Sequence, residues 1–225
     1  MADARTTLRN NGLTLVWLGL FLVFLGAQAA AGHGVYNQEQ TSHGEAAVSF
    51  LQYLGTGHFG EAVFENWESE FLQMAMFVIL TAFLFQKGAS ESKDPDKDHE
   101  PVDEDPRLHR DDPDAPGPVK RGGFALKLYE NSLSLTLAAL FLASLALHAV
   151  TGHVEYSAEQ VQHGEAAVGV LGYLGSAQFW FESFQNWQSE FMSVAVLTLL
   201  SIWLRQRSSP ESKPVAKPHA ETGNN

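Results

Sequence analysis

Four apolar runs alternate with polar segments along this chain. Residues 12–31 stay apolar for about 20 positions, interrupted only by Thr14 and Gln28. At about 1.5 Å per residue, a helix of that length spans the roughly 30 Å hydrocarbon core of a bilayer. Residues 132–151 have the same character. Two shorter runs, about 71–86 and about 190–204, complete two pairs of spans. From Phe59 the periodicity is helical, with Phe64, Trp67 and Phe71 on one side. Glu61, Glu65 and Glu68 fall largely on another side and read as solvated surface. This helix is expected to run unbroken into 71–86. Trp67 then falls at the outer interface, where indole rings prefer to lie. Residues 44–55 suit a short helix bounded by Gly44 and Gly55, with Ala47, Leu51 and Leu54 on one face.

The pattern is written twice. Shifted by 120 positions, the halves align without a gap. Gly32-His33-x-x-Tyr36-x-x-Glu39-Gln40-x-x-His43-Gly44-Glu45-Ala46-Ala47-Val48 recurs from Gly152 to Val168. Asn66-Trp67-x-Ser69-Glu70-Phe71 recurs as Asn186-Trp187-x-Ser189-Glu190-Phe191. Over 32–71, 22 of 40 positions are identical, against 7 of 20 over 12–31 and 4 of 15 over 72–86. Lipid contact lets one apolar residue replace another. The segment outside the spans kept its residues, which implies a specific packed structure or a site there.

The repeat also bears on the N-terminus. Arg5, Arg9, the apolar run and Ala27-Gln28-Ala29 resemble a secretory signal peptide. Residues 132–151 are the same element in mid-chain, where no signal peptide can stand, so a membrane span is the stronger expectation.

Charge then sets a topology. All 14 Lys and Arg residues lie in 1–11, 87–127 or 205–225, and neither 33–70 nor 153–190 holds one. The positive-inside rule puts both termini and the linker in the cytoplasm and both histidine-bearing segments outside. An even number of spans agrees. The halves then share one orientation, the parallel-repeat arrangement.

The expected fold is an all-α integral membrane protein. Four transmembrane helices form two tandem, parallel helix–loop–helix repeats with a pseudo-twofold along the membrane normal. Residues 1–11 are a cytoplasmic N-terminus. Repeat 1 covers 12–87, with spans at about 12–31 and 71–86 and outer segment 33–70. Residues 88–127 form an acidic cytoplasmic linker. Its Asp94–Pro101 and Asp111–Pro118 stretches have almost no apolar content, so disorder is expected. Repeat 2 covers 128–207, with spans at about 132–151 and 190–204 and outer segment 153–189. A disordered cytoplasmic tail, 208–225, follows. Gly12, Gly19 and Gly26, matched by Ser132, Ala139 and Ala146, form a seam of small residues on each first span. Such seams let helices approach closely in lipid.

Composition narrows the function. The mean hydropathy of −0.10 averages polar tails with strongly apolar runs. There is no cysteine, which excludes disulfides, thiol nucleophiles and iron–sulfur ligation. A net charge of −12 argues against nucleic acid, whose phosphates need a basic surface. The expected partners are the lipid bilayer and a second copy or another membrane protein.

Three explanations of the shared polar residues compete. In the first they are structural: His33 and Tyr36 stand where the first span ends, Asn66 and Ser69 bond backbone, and Glu70 meets amides near the second span. Tyr36, Glu39, Asn66, Trp67, Ser69 and Glu70 belong to this set, with Tyr156, Glu159, Asn186, Trp187, Ser189 and Glu190. In the second, His33, His43 and Glu45, with His153, His163 and Glu165, supply imidazole and carboxylate ligands to a metal or haem. His-x9-His is not a diagnostic spacing, and haem usually needs axial ligands inside a bundle. In the third, Glu70, Glu190 and the intramembrane His148 line a permeation or proton path. His148 corresponds to Gln28 in the first half and so has no twin. No GxSxG, P-loop or HExxH motif occurs, so no catalytic residue is assigned and no cofactor is expected.

The chain resembles the small bacterial membrane proteins grouped as domain of unknown function 6766. The resemblance rests on Asn11 and Asn131 opening each first span, on Gly-His-x-x-Tyr and His-Gly-Glu-Ala-Ala, on Asn-Trp-x-Ser-Glu-Phe, and on the ending Leu204-Arg205-Gln206-Arg207-x-x-Pro210-Glu211-Ser212-Lys213-Pro214. It covers nearly everything except the linker. It implies a bacterial, multi-pass protein of the cytoplasmic membrane and carries no activity. The expected role is non-enzymatic, structural or interactional, through the outward segments. A metal- or haem-binding protein is the alternative, and a transporter or channel subunit the second.

Overall fold

The structure is a computed structural model and describes residues 4–223. The first three residues of the N-terminal segment and the last two of the tail lie outside it. Among the described residues all regular structure is helical. The helices are α1 (Ala4–Ser42), α2 (Phe50–Tyr53), α3 (Gly57–Phe83), α4 (Gly117–Arg121), α5 (Gly123–Glu130), α6 (Ser132–Gln162), α7 (Val170–Leu174) and α8 (Ala177–Trp203). Two short 3-10 turns, Pro101–Asp103 and Pro106–His109, precede α4. Two helices, α1 and α6, are long and apolar enough to cross a membrane. The chain divides into two compact units. One holds residues 1–63 and 148–173, the other 64–147 and 174–225.

In the first unit, α1 does not stop at the end of its apolar run but continues to Ser42. Its stop explains a motif. Gly44 takes a φ of 81°, and the Glu45 amide donates 2.8 Å to the Gln40 carbonyl. Gly164 takes 83°, and the Glu165 amide donates 2.8 Å to the Gln160 carbonyl. This is the left-handed glycine stop that satisfies otherwise orphaned carbonyls at a helix end. Gly44 thus ends α1 rather than opening the helix expected over 44–55. Only Phe50–Tyr53 is helical there, started by a capping box between Ser49 and Gln52.

The seam of small residues is not packed. A β-carbon at Gly12, Gly19 or Gly26 would meet nothing within 4 Å, and Ala139 and Ala146 are exposed. The run 12–31 makes almost no buried surface, Ala29 excepted.

In the second unit the linker and tail bond to each other. Ala89, Val119 and Leu126 supply buried apolar anchors in the linker. The tail returns to the linker's start. The Gly88 amide donates 2.9 Å to Thr222 Oγ1, the Gly223 amide 3.0 Å to the Ala89 carbonyl, and Ser90 Oγ 2.9 Å to the Glu211 carbonyl. Lys213 is buried, its ammonium donating to the carbonyls of Gly88, His219 and Glu221.

One turn follows both α3 and α8. The Gln86 amide donates 2.8 Å to Ser92 Oγ, and the Gln206 amide 2.9 Å to Ser212 Oγ. Gly88 and Ser208 occupy matching positions with φ of 86° and 69°. The shared residues are Gln, a cation, Glu, Ser and Lys: Gln86, Lys87, Glu91, Ser92 and Lys93 against Gln206, Arg207, Glu211, Ser212 and Lys213.

Candidate functional site

The first unit is built around two tyrosines that α2 and α7 carry inward. Tyr53 and Tyr173 are both buried, at 1% and 0% exposure. Each hydroxyl reaches a glycine on a long helix. A β-carbon on Gly32 would overlap the Tyr53 hydroxyl. One on Gly152 would stand 2.5 Å from the Tyr173 hydroxyl and 2.8 Å from Glu61 Oε1. The glycine of Gly-His-x-x-Tyr is therefore a seat for a phenol. The tyrosine of the same motif lines that seat. The Tyr36 ring lies 5.6 Å from Tyr53, and the Tyr156 ring 5.4 Å from Tyr173.

Beyond this frame the seats differ. The Tyr53 hydroxyl lies 3.1 Å from His58 Nδ1. The Tyr173 hydroxyl donates 3.0 Å to Glu61 Oε1 and lies 3.2 Å from His148 Nε2. With its proton committed to Glu61, the phenol oxygen accepts from His148 Nε2. His148 is wholly buried. Its counterpart Gln28 instead donates 3.3 Å to the Ala62 carbonyl. Glu61 is thus not the solvated residue expected from its position on α3.

An acidic cluster completes this unit. Glu155 lies about one turn beyond the apolar stretch 132–151. Burial first, then the charges of Glu159 and Glu39, push its carboxyl up to about 7, while a bond from the His58 backbone amide acts the other way. Burial lowers the His58 imidazole from its ordinary value, against the pull of Glu39.

The six expected metal ligands fall elsewhere. His33 Nε2 meets the Val48 carbonyl at 2.8 Å, holding the extended stretch before α2. His43 Nδ1 lies 3.1 Å from the Glu39 carbonyl and His163 Nδ1 2.8 Å from that of Glu159, each donating to the carbonyl four residues back. His153 Nδ1 donates to the Val150 carbonyl, three residues back, at 2.6 Å. Glu45 and Glu165 are exposed in the turns after Gly44 and Gly164. Among the described residues, none of these six joins a three-ligand cluster.

The second unit holds the Asn-Trp-x-Ser-Glu-Phe elements. Ser69 Oγ donates 2.8 Å to the Asn66 carbonyl and Ser189 Oγ 3.1 Å to that of Asn186. The Asn186 amide donates 3.2 Å to the Glu182 carbonyl. Trp67 packs edge-on against Phe64, centroids 5.7 Å apart. Trp187 stands among Phe141, Trp180 and Phe184, and its indole N–H donates 3.1 Å to Glu68 Oε1. Glu68 is fully buried, a second correction to the expected solvated face. Glu70 is exposed and Glu190 half-buried.

Three residues escape an identity count because their counterparts differ. The Asn37 amide donates 3.0 Å to the Val48 carbonyl, and its oxygen accepts 2.7 Å from the Val48 amide. Ser157, at the matching position, accepts from the Val168 amide at 3.0 Å. Asn and Ser do the same work, so counting identities passes over them. Glu61 escaped for the same reason, since position 181 is Phe.

These features define an all-helical protein with two helices capable of crossing a membrane and a buried tyrosine–histidine–glutamate network. The chain belongs to the family described as Domain of unknown function (DUF6766), whose model matches residues 4–224. No curated protein matches the chain, and no solved structure does.

Proposed function

We propose that this is a multi-pass protein of a bacterial cytoplasmic membrane that acts as a non-enzymatic structural or interaction protein. Its four spans are α1, the 71–83 part of α3, the first part of α6 and the later part of α8. The uncovered apolar surface of α1 carries this reading. Leu13, Trp17 and Phe24 are 72%, 63% and 67% exposed, and their neighbours are similarly bare. Soluble proteins rarely leave so large an apolar surface in water. Lipid tails cover it without cost. Leu80 and Phe83 on α3, and Leu197, Leu200 and Trp203 on α8, are also exposed and suit the same solvent.

The interaction role rests on the outer segments. Their shared histidines and serines bond backbone carbonyls, an arrangement that builds a shaped surface. That surface lacks Lys and Arg in 33–70 and 153–190, so a complementary partner face is basic or neutral. The 120-residue offset together with the positive-inside topology supports a parallel repeat, which gives the partner two related faces.

Reporter fusions test this. A reporter joined at Ser92 is expected to read as cytoplasmic, and one inserted between Glu45 and Ala46 as external. An external signal at Ser92, or recovery of the chain in the soluble fraction, sinks the reading.

A further inference from the structure

We propose that Glu61, His148 and Tyr173 form a binding site for one divalent transition-metal ion, with zinc the fitting occupant. The site lies within the first unit and does not depend on the interaction role.

The geometry supports it in three ways. First, three different donor types converge. The Tyr173 hydroxyl is 3.0 Å from Glu61 Oε1 and 3.2 Å from His148 Nε2. The Glu61 and His148 ligand atoms lie within 4.8 Å of one another. Ligands at about 2.1 Å from one ion stand roughly 3.0–3.4 Å apart, so a small inward shift closes the set. Second, the site is built into the packed interior of the unit. His148 and Tyr173 are wholly buried, Glu61 half-buried. Gly152 keeps the space open, because a β-carbon there would collide with both the phenol and the carboxylate. Third, the donors suit the metal. Imidazole and oxygen ligands without thiolate favour zinc and its first-row neighbours.

Ion binding has a definite proton balance. The carboxylate and the neutral imidazole bind without losing a proton, the imidazole proton moving to Nδ1. The phenol binds as phenolate, releasing one proton to solvent per ion.

The stoichiometry is one per chain. In the other half the corresponding residues are Gln28, Phe181 and Tyr53, which offer no second set. This separates the site from the outer histidines, which come in pairs.

The test is titration of the full chain with Zn²⁺. Protein is purified in mild detergent without a metal-binding tag, stripped with chelator and titrated by calorimetry in two buffers of different ionisation enthalpy. The expected result is one ion per chain with one proton released. His148→Gln places in this half the residue that already stands at position 28, and is expected to weaken binding at least about a hundredfold. Tyr173→Phe is expected to remove the proton release, and it serves as readout if the first variant does not fold. His43→Gln is expected to leave binding unchanged. Absence of Zn²⁺ binding by the wild-type chain overturns the proposal. So does unchanged binding in folded His148→Gln, or two ions per chain lost with His43→Gln.

Discussion

The Tyr53 hydroxyl occupies the place where a side chain on Gly32 would begin. Two helices that meet in this way cannot accept even a methyl group at the glycine. Gly32→Ala is expected to cost about 1–3 kcal/mol, the usual penalty for overpacking a filled site. The overlap is with the hydroxyl, so Gly32→Ala combined with Tyr53→Phe should lose less stability than the two single changes summed. Thermal midpoints in detergent for the four proteins check this. Strict additivity would mean that the two residues do not meet.

The Glu155 carboxyl titrates near neutrality, with opposing consequences in one small cluster. Its folded value, about 7, stands above the unfolded value of 4.5, so the folded state holds the proton between them. Stability from this group is fully present below about pH 4.5 and is lost as pH rises through 7. The side chain is only half-buried, so solvent screening limits the effect to about 2 kcal/mol. His58, lowered from 6.5, acts in the reverse sense: stability is lost as pH falls through 6.5 and below. Glu155→Gln is expected to abolish the fall in stability between pH 5 and 7.5 and to leave the shallow rise due to His58. Thermal midpoints across that range decide the matter. An unchanged profile in the variant would place the Glu155 proton elsewhere.

Lys213 ties the tail to the turn after α3. Burial, with the nearby charges of Arg205 and Lys217, pushes its ammonium below the ordinary lysine value. Its three bonds to the carbonyls of Gly88, His219 and Glu221 compensate that burial. Lys213→Met leaves those carbonyls unsatisfied, at a cost of roughly 1–3 kcal/mol confined to this cluster. Faster amide exchange over 214–223 and earlier proteolytic trimming of the tail are expected, with the helices unaffected. Lys93, at the matching position, instead meets Asp103 at 2.7 Å and is more exposed. Lys93→Met should leave the tail's exchange rates as they are.

The sequence by itself determined the helical class and the two helices capable of crossing a membrane. These follow from local rules. Apolar runs of sufficient length favour a helix, whereas the stops of α1 and α6 at Gly44 and Gly164 emerged only from the structure, where both glycines take a positive φ. The tertiary structure decided which polar residues matter. Glu61 and Glu68 carry a solvated pattern along their own helix, yet Tyr173 and Trp187, more than a hundred residues away in sequence, turn them inward. Periodicity describes one helix and cannot name the donor that arrives from another. His148 is similar: the sequence marked it as an unmatched ionisable residue, and only packing supplied Tyr173 and Glu61 as its company. The linker and tail make the same point from the opposite side. Composition there predicts too little apolar surface for order, whereas Lys213 and Thr222 find backbone partners that composition does not count.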